Sequence, residues 1–417
     1  MSRYSTSRHS SARAITVVMS AALIVAVWSS QVGATSGRVG TAHSADRAAI
    51  SHAPITIGFL NEQEGAYTFP DFGAGAQAAR VYIDGHGGIN HRPLKFLDCY
   101  TDGSPASSVA CANRFVTAHV VAVLEGIDIS SDSAVPVLAG AGIPLVGHTA
   151  FGAVQSNNPR AFFFGAATGA YDVVPLVVMA KYLHLSSVAY LAEDNPQDRA
   201  FVQDDSVPAA KALGLTYNSI FYNAATPNYQ STVASAISTG AQALFFTAPE
   251  PDCTSIVSTA STLGYKGYVF AGSCSAFIAA DGQIANGVFT STDLYAPDDV
   301  TGVPAAKAHQ VQIYRSTMNK LAPQYVEGFA QDTFSSTMDL ATVLRGIKGV
   351  VTAHKVLIAL HGIRHMQSFM GQTLDCNGKQ WPGEQAVCAS GLVEYRVVNG
   401  KRVMYTHGFV QGASLVG

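Results

Sequence analysis

Short apolar runs that alternate with helix-type patterns constrain the fold of this chain more than any other feature of its sequence. Between the runs lie stretches in which a Ser or Asp can begin a helix and a Gly can end one, such as 104–119 and 197–214. Near-continuous apolar strands separated by helices are typical of parallel sheets that are covered on both faces. The runs predicted to be strands are ITIGFL (55–60), LKFLDC (94–99), VVAVLE (120–125), IPLVG (143–147), SVAYLAE (187–193), YNSIFY (217–222), ALFFT (243–247) and YVFAG (268–272).

One pattern of these elements occurs twice. Residues 120–150 and 243–276 both read as strand, small polar loop, helix, glycine, strand and a second polar loop. The repeat predicts two similar α/β lobes rather than one long sheet. Because ligands of open parallel sheets gather beyond the carboxyl ends of the strands, the paired loops would form the two walls of a cleft.

The length and the charge limit the class of protein. A chain of 417 residues exceeds one ordinary core, so two domains of roughly 100 to 200 residues each are expected. The formal net charge is −3, and no basic cluster is present that would neutralise phosphates or attract anionic lipid. Nucleic acid is therefore not expected as a partner.

The N-terminal residues read as an export signal. Three arginines precede an apolar run over 14–28, and small residues follow, with cleavage expected after Ala34. The alternative is a retained membrane anchor, although about 15 apolar residues fall short of the roughly 20 that span a bilayer. We therefore predict a signal peptide at 1–34, a disordered lead-in at 35–53, and a periplasmic, secreted or cell-surface location.

The six cysteines fall as three sequential couples. In an oxidising compartment the simplest hypothesis is three local disulfides, although six cysteines allow 15 pairings. No Cys-x-x-Cys spacing points to zinc or to redox exchange. The couples are Cys99 with Cys111, Cys253 with Cys274, and Cys376 with Cys388.

Two loops of the first predicted lobe carry candidate ligand residues. Ser130 and Ser131 stand where a helix is expected to begin, so their hydroxyls and the free backbone N–H groups could hold a ligand carboxylate. Plain helix capping is the alternative. Thr149, Ala150 and Phe151 occupy the next loop, where the phenylalanine is either a floor for an apolar ligand or lobe packing.

Candidate ligand residues also follow the first strand and stand in the second lobe. Tyr67, Phe69 and Phe72 lie in a polar, glycine-containing loop, where aromatic side chains either contact a ligand or pack on their own lobe. Glu250 and Ser273 lie at matching strand ends of the second lobe, each beside a cysteine of one predicted couple; the alternative is that each is only a solvated turn residue. A disulfide there would hold that wall in a fixed shape.

Catalytic, cofactor and metal motifs receive little support. GAGAQA (73–78) has dinucleotide-fingerprint spacing and Asp98 ends the next strand, but the first glycine comes 13 residues after Leu60 instead of in the strand-to-helix turn. His361 and His365 share a helix face without the glutamate of a metalloprotease, so a solvated face is favoured over a metal site. No nucleophile elbow is present. We predict no cofactor, no metal and no enzyme activity.

Several stretches together resemble one family of binding proteins. IDGHGGINHRPLKFLDCYTDGSP (83–105) is similar to the signature of type I periplasmic solute-binding proteins of the leucine/isoleucine/valine-binding family, where a helix ends in Asn-x-x-Gly-Gly-Ile. The resemblance extends over about 54–410 and rests on the order of the motifs. The further matching stretches are 120–147, AEDNPQDRAF (192–201), NYQSTVASAI (228–237), ASTLGYKGYVFAG (260–272) and GFAQDTFSSTMDLATVLRGI (328–347).

The resemblance implies a two-lobed clamshell whose chain crosses three times between the lobes. The first lobe would be 54–168 plus 297–365, and the second 169–296 plus 366–414. Such a protein would capture a small molecule between the lobes and deliver it to an ABC-type importer, made of a permease and an ATPase. A ligand-sensing extracellular module and, in another class, a secreted enzyme are the alternatives.

The resemblance also bears on the ligand. In the family's amino-acid binders, a serine at a helix start and a small residue followed by a threonine hold the ligand's carboxylate and ammonium. Ser130 matches the serine and Thr149 the small residue, but Phe151 stands where the threonine would be. Pro249 stands where the family has a tyrosine that contacts the ligand. Ser273 stands where the family has the acidic residue that pairs with the ammonium. This implies an amino-acid-like ligand or one that is more apolar and less cationic.

Overall fold

The computed structural model describes residues 53–65 and 68–416. The predictions for the signal peptide, for almost all of the lead-in and for Tyr67 lie outside these residues. None of the helices within them is both long and apolar enough to cross a membrane.

Strands and helices alternate from β1 to β10 in the described part of the chain, as the sequence predicts. The strands are β1 Ile55–Glu62, β2 Leu94–Thr101, β3 Val123–Glu125, β4 Leu145–Gly147, β5 Ala161–Ala166, β6 Ser187–Glu193, β7 Thr216–Tyr222, β8 Ala243–Phe246, β9 Tyr268–Phe270, β10 Phe289–Thr292, β11 Met366–Gln367, β12 Thr373–Leu374, β13 Val387–Ala389, β14 Gly391–Val398, β15 Lys401–Met404 and β16 Val410–Gln411. The α-helices are α1 Pro70–Gly85, α2 Pro105–Thr117, α3 Val135–Gly140, α4 Ala153–Ser156, α5 Ala170–Lys181, α6 Pro196–Phe201, α7 Val207–Leu213, α8 Tyr229–Ser238, α9 Glu250–Thr262, α10 Ala276–Asp281, α11 Ala305–Leu321, α12 Ala330–Arg345 and α13 Ala353–His361.

The first sheet is parallel throughout. Its strand order is β13-β5-β4-β3-β1-β2, and each neighbouring pair runs in the same direction. Helix α12 packs on one face, where Leu340 and Leu344 join Ile57 and Phe59 of β1 in one buried cluster. The near-continuous apolar strands are therefore explained by helices covering the sheet.

The second sheet is mainly parallel with an antiparallel margin. Its order is β15-β14-β10-β9-β8-β6-β7, with β16 paired to β14; β14 runs antiparallel to β10, to β15 and to β16. Aromatic side chains fill its core: the rings of Phe270 and Phe289 stack with centroids 4.6 Å apart, and those of Tyr190 and Phe245 meet edge to face at 4.9 Å. All four side chains are fully buried or nearly so.

The chain passes between the two sheets three times. It crosses after β5, after β10, and between β13 and β14. We expected all of 366–414 in the second lobe, but β13 pairs with β5 of the first sheet, with Val387 opposite Phe163. The last crossing therefore lies at Ser390 and not near residue 365, because β13 completes the edge of the first sheet before the chain leaves it.

The glycines that follow α1 have a backbone role. Gly87 and Gly88 have φ values of +91° and +68°, in the left-handed region that glycine adopts without steric cost. The Gly88 N–H donates to the Ile83 carbonyl at 2.9 Å and so helps to end the helix. A Cβ atom on Gly88 would lie 2.3 Å from the Arg92 carbonyl oxygen. The local turn into β2 thus requires glycine.

The three predicted disulfides are confirmed. Cys99 bonds to Cys111, Cys253 to Cys274, and Cys376 to Cys388. Each bridge closes a short loop of the chain, with sequence separations of 12, 21 and 12 residues.

Candidate functional site

The carboxyl ends of the strands meet at a cavity of about 30 Å³. Loops after β8 and β9 contribute from the second sheet, the start of α12 contributes from the first lobe, and the crossing after β10 forms the floor. Most lining side chains are polar, as in a site that orients a small ligand by hydrogen bonds. The lining residues are Tyr171, Glu250, Ser273, Ser275, Ser291, Thr292, Asp293, Gly328, Phe329, Gln331, Asp332 and Arg402.

A buried ion pair joins the first lobe to the crossing after β10. His148 follows β4, and its Nε2 lies 3.0 Å from the Asp293 carboxylate. Burial by itself lowers the pKa of His148, but the charges of Asp293 and Asp332 outweigh it and raise the pKa to about 9. For Asp293, burial alone would raise the pKa. The charge of His148 and the hydrogen bonds that the Asp293 carboxylate accepts outweigh burial and hold this pKa below its usual value. The pair is therefore ionised at neutral pH.

The Asp293 carboxylate is fully supplied with donors. Besides His148, it accepts the Ala166 N–H of the first crossing at 2.7 Å, and the nearby Tyr171 hydroxyl of α5 also lowers its pKa. Gly165 leaves room for this arrangement, because a Cβ atom there would lie 2.5 Å from Asp293 Oδ2 and 2.7 Å from the His148 carbonyl oxygen. One carboxylate thus ties together β4, two crossings and the second lobe.

A second carboxylate at the cavity is poorly supplied with donors. Asp332 lies in the first turn of α12, and its closest cationic atom is His148 Nε2 at 3.8 Å. Burial raises the pKa of Asp332 to about 7, opposed by the charge of His148 and assisted by that of Asp293. Next to it, Gln331 is 7% exposed and its Oε1 is buried with no hydrogen-bond partner among the residues described.

The other charged groups of the lining are already paired. Arg402 donates through Nε to Asp298 Oδ1 at 2.9 Å and through a terminal nitrogen to Glu327 Oε2 at 2.8 Å. Glu250 accepts the Ser275 N–H at 2.9 Å and the Ala276 N–H at 2.9 Å. Glu250 therefore caps α10, whose first N–H groups have no partner within the helix.

Aromatic rings extend from the cavity along the first lobe. Phe329 lines the cavity and stacks on Phe72, with ring centroids 5.5 Å apart. Phe72 in turn meets Phe69 edge to face at 6.2 Å. Phe72 is buried, whereas Phe69 and Phe329 are half-buried. The three rings form an apolar strip, which we call the phenylalanine strip.

The structure brings two of the predicted ligand residues to the cavity. Glu250 and Ser273 both line it, and the Cys253–Cys274 bridge lies beside them. The alternative prediction for Glu250 was a solvated turn residue. In the structure its carboxylate instead caps α10, as described above. Ligand contact by either residue stays a prediction.

The serines after β3 are engaged by the first lobe itself. The Ser130 hydroxyl donates to the Gly103 carbonyl at 2.6 Å, and the Ser131 hydroxyl accepts from Gln155 Nε2 at 2.9 Å. Ser130 makes no side-chain cap to the short 3₁₀ turn that follows it. Ligand binding by these serines would compete with the existing hydrogen bonds.

The loop after β4 carries the predicted ligand residues Thr149, Ala150 and Phe151, which follow His148. None of these three residues lines the cavity. Thr149 is half-buried and Phe151 is 38% exposed. The Ala150 side chain is buried and its carbonyl accepts the Thr168 hydroxyl at 3.0 Å. Their roles as ligand residues stay predictions, as does that of Phe69.

Sequence reasoning missed the central charged residues of the site. His148 stands inside a loop that was singled out, but only its neighbours were considered. Asp293 directly follows β10, a strand whose Thr and Ser residues do not form an apolar pattern, and Asp332 falls within the stretch 328–347. For His148, its position directly after the predicted strand 143–147 was the available signal. Asp293 had no such signal, because β10 was not among the predicted strands.

Comparisons with known proteins agree with this architecture. A family model described as periplasmic binding protein matches residues 54–388. A leucine-binding protein from Thermotoga maritima superposes with a TM-score of 0.67 at 16% identity, over 86% of this chain and 99% of that chain. None of the curated proteins matches the sequence significantly.

Two further solved structures differ in their ligands. A branched-chain amino acid transporter substrate-binding protein from Streptococcus pneumoniae, in complex with isoleucine, has a TM-score of 0.65 at 17% identity, over 86% of this chain and 99% of that chain. A fatty acid ABC transporter substrate-binding protein from Thermomonospora curvata has a TM-score of 0.69 at 11% identity, over 87% and 93%. At such identities the likeness concerns the fold, and the expected fold class of two lobes with mainly parallel sheets is confirmed.

Proposed function

Because the chain belongs to the periplasmic binding protein family, we propose that it captures a small amino-acid-like molecule between its two lobes. Members of this family are non-enzymatic binding proteins, so the prediction that the chain is not an enzyme is confirmed. The chain is a substrate-binding protein of the ABC-transporter type. The ligand is the part that we propose.

The observation that carries the proposal is the polar cavity where the two sheets meet. Its lining combines hydroxyls of the second lobe, such as Ser273 and Ser275, with the carboxylate and amide of Asp332 and Gln331 from the first. Such groups suit a ligand with several hydrogen-bonding atoms. The leucine-binding and isoleucine-bound relatives named above support an amino-acid-like molecule.

Closure around such a ligand has a physical requirement. A ligand shifts the open and closed populations only if it binds the closed form better, since equal affinity for both forms shifts nothing. Groups from both lobes line the same cavity, whose volume of about 30 Å³ holds only a group the size of one or two water molecules. A larger ligand would therefore require the lobes to move apart before they close on it. This supports capture by closure.

A more apolar ligand is the second candidate. The phenylalanine strip adjoins the cavity, and the relative from Thermomonospora curvata is a fatty acid substrate-binding protein. Phe151 at the position of the family's threonine fits the same candidate. The cavity lining itself favours the first candidate, because the rings contribute only Phe329 to it.

A thermal-shift screen tests the two candidates. A chain beginning at residue 35 would be heated with amino acids, amines, fatty acids, aromatic acids and sugars. A ligand at 100 times its dissociation constant adds about 2.7 kcal/mol of stability, which is a shift of a few degrees for a protein of this size. We expect amino acids or related amines to raise the melting temperature. Stabilisation by fatty acids alone would favour the second candidate, and no stabilisation by any class would contradict small-molecule capture.

The partner and the location follow from the family. We propose export through the N-terminal segment and delivery of the ligand to a permease and ATPase complex. Uptake of the labelled ligand by cells with and without the gene would separate delivery from the sensing alternative. Loss of uptake is expected, and unchanged uptake with a lost transcriptional response would favour sensing.

A further inference from the structure

We propose that Asp332 and Gln331 form the subsite for a positively charged, hydrogen-bond-donating end of the ligand, a protonated amine. This inference rests on the proposed function, since it assigns one end of the ligand in the same cavity. The arrangement of charges, the unpaired acceptors and the donors already in place lead to it.

The cavity lining holds more carboxylates than cations. Three carboxylates line it, those of Glu250, Asp293 and Asp332, and one cation, Arg402. Arg402 is occupied by two carboxylates outside the lining, Asp298 and Glu327. No unpaired cation is thus left in the described lining to receive a carboxylate of the ligand.

Two of the three carboxylates are satisfied. Glu250 accepts backbone N–H groups at the start of α10, and Asp293 accepts from His148 and Ala166. Asp332 receives no hydrogen bond from any group in 53–65 and 68–416, and the nearest cation stays 3.8 Å away. A half-buried carboxylate is stabilised by a hydrogen-bond donor or a cation. Of the three carboxylates in the lining, Asp332 is therefore the one that can still accept a donor from a ligand.

Gln331 gives independent support for a donor at this place. Gln331 is only 7% exposed and lines the cavity beside Asp332. Its Oε1 accepts no hydrogen bond from the residues that the structure describes. A buried acceptor without a donor is costly, and such groups in folded proteins are rare. An ammonium group has three N–H donors, enough to serve both side chains.

A metal ion is the other cation that these residues suggest. His148, Asp293 and Asp332 offer ligand atoms within 4.8 Å of one another. However, His148 is already held by Asp293 and faces the Ser336 hydroxyl at 3.3 Å, and Asp293 already accepts from His148 and Ala166. A metal would have to break these bonds, whereas an ammonium group needs only Asp332 and Gln331. The geometry therefore favours the amine.

Matched ligand pairs test the inference on the unmodified protein. Titration calorimetry would compare leucine with 2-hydroxy-4-methylpentanoate, phenylalanine with 3-phenyllactate, and putrescine with 1,4-butanediol, with Mn²⁺ and Zn²⁺ as separate titrants. We expect binding by at least one amine and a preference of about ten- to a hundredfold over its hydroxyl partner, the size of a charge-assisted hydrogen bond. Equal affinities within every pair that binds, or binding by the metals alone, would overturn it.

One substitution assigns the preference to its residue. Asp332→Asn keeps the shape and removes the charge, and we expect it to abolish the amine preference. Asp71→Asn is the matched control, because Asp71 also acts on Asp332 by its charge but does not line the cavity; its preference should stay within about threefold of the unmodified protein. An unchanged preference in Asp332→Asn would place the amine elsewhere.

The failure of this inference differs from failure of the proposed function. Tight binding of a fatty acid or of a hydroxy acid without an amine preference would overturn the subsite and leave small-molecule capture intact. No binding by any titrant, in a protein that melts cooperatively, would contradict both.

Discussion

The two walls of the cavity carry the same kind of charge and use it differently. On the wall of the second lobe, the Glu250 carboxylate accepts two backbone N–H groups and caps α10. On the wall of the first lobe, Asp332 receives no such donor from the described residues, and Gln331 beside it leaves an acceptor unpaired. The number of carboxylates at a cavity therefore does not determine what it binds. Their existing partners do.

The walls are also held in place by different means. The second wall is tied by the Cys253–Cys274 bridge, and the Thr290 hydroxyl joins β10 to the Gly272 and Cys274 carbonyls. The first wall is tied by the ionised pair of His148 and Asp293. A covalent constraint acts on one side and a buried charge pair on the other, and each can be removed separately.

Removing His148 should have the largest effect on stability. His148→Leu leaves the Asp293 carboxylate buried without its cation, and breaking a buried pair in this way costs about 3–5 kcal/mol. Urea denaturation followed by fluorescence would measure the change. His148→Leu combined with Asp293→Asn should be less destabilised than the sum of the single variants, since the double variant leaves no unpaired charge. A loss below 1 kcal/mol would mean that the pair does not anchor the first wall.

Removing the disulfide of the second wall should have the next largest effect. Replacing Cys253 and Cys274 by serine removes a constraint on the unfolded chain and should cost about 3 kcal/mol. The same replacement of Cys99 and Cys111 is the control, because that bridge is of the same kind but its cysteines do not flank the cavity. Both variants should lose stability in denaturant titrations, and only the first should weaken ligand binding. An equal loss of affinity in both variants would show that the Cys253–Cys274 bridge supports ligand binding no more than the control bridge does.

The pH dependence of binding sharpens the comparison between Glu250 and Asp332. Burial raises the pKa of Asp332 to about 7, with the charge of His148 opposing and those of Asp293 and Asp71 adding. His148, with its pKa raised to about 9, stays protonated below pH 8. An amine requires the ionised form of Asp332, so its affinity should rise with pH, roughly tenfold between pH 6 and pH 8.

Calorimetry at pH 6, 7 and 8 would measure this profile for the amine that binds tightest in the paired titrations. The Asp332→Asn variant should bind weakly and with little dependence on pH, because its side chain does not titrate. A flat profile in the unmodified protein would mean that Asp332 does not hold the amine in its ionised form.

Most of the fold could be predicted from the sequence. The eight apolar runs all contain strands, because buried parallel strands need apolar side chains on both faces. The strand β10 could not be predicted in this way: Thr290 and Ser291 are buried, and their hydroxyls donate to the Gly272 carbonyl and to Glu394. A buried polar residue with an internal partner looks like a surface residue in a sequence.

The site could be predicted less well, for a physical reason. Position beyond a strand end selects loops that line the cavity, and Glu250 and Ser273 lie there, while their contact with a ligand stays a prediction. It does not reveal which groups are already paired within the protein. The pairing of His148 with Asp293 joins residues 145 positions apart, so it depends on the packing of both lobes and leaves no local pattern.

Glu250 provides the smallest and most discriminating test of the two walls. Its carboxylate caps α10, which has six residues, and loss of a cap costs about 1 kcal/mol. Glu250→Ala should therefore lower stability by that amount in urea while the amine affinity changes by less than about threefold. Glu250→Gln keeps one acceptor oxygen and should lose less stability.

Asp332→Asn should behave in the opposite way, with affinity lost and stability kept. If Glu250→Gln instead lost tenfold in affinity at unchanged stability, the amine would bind at the second wall, and the capping bonds seen at Glu250 would have to open to receive it.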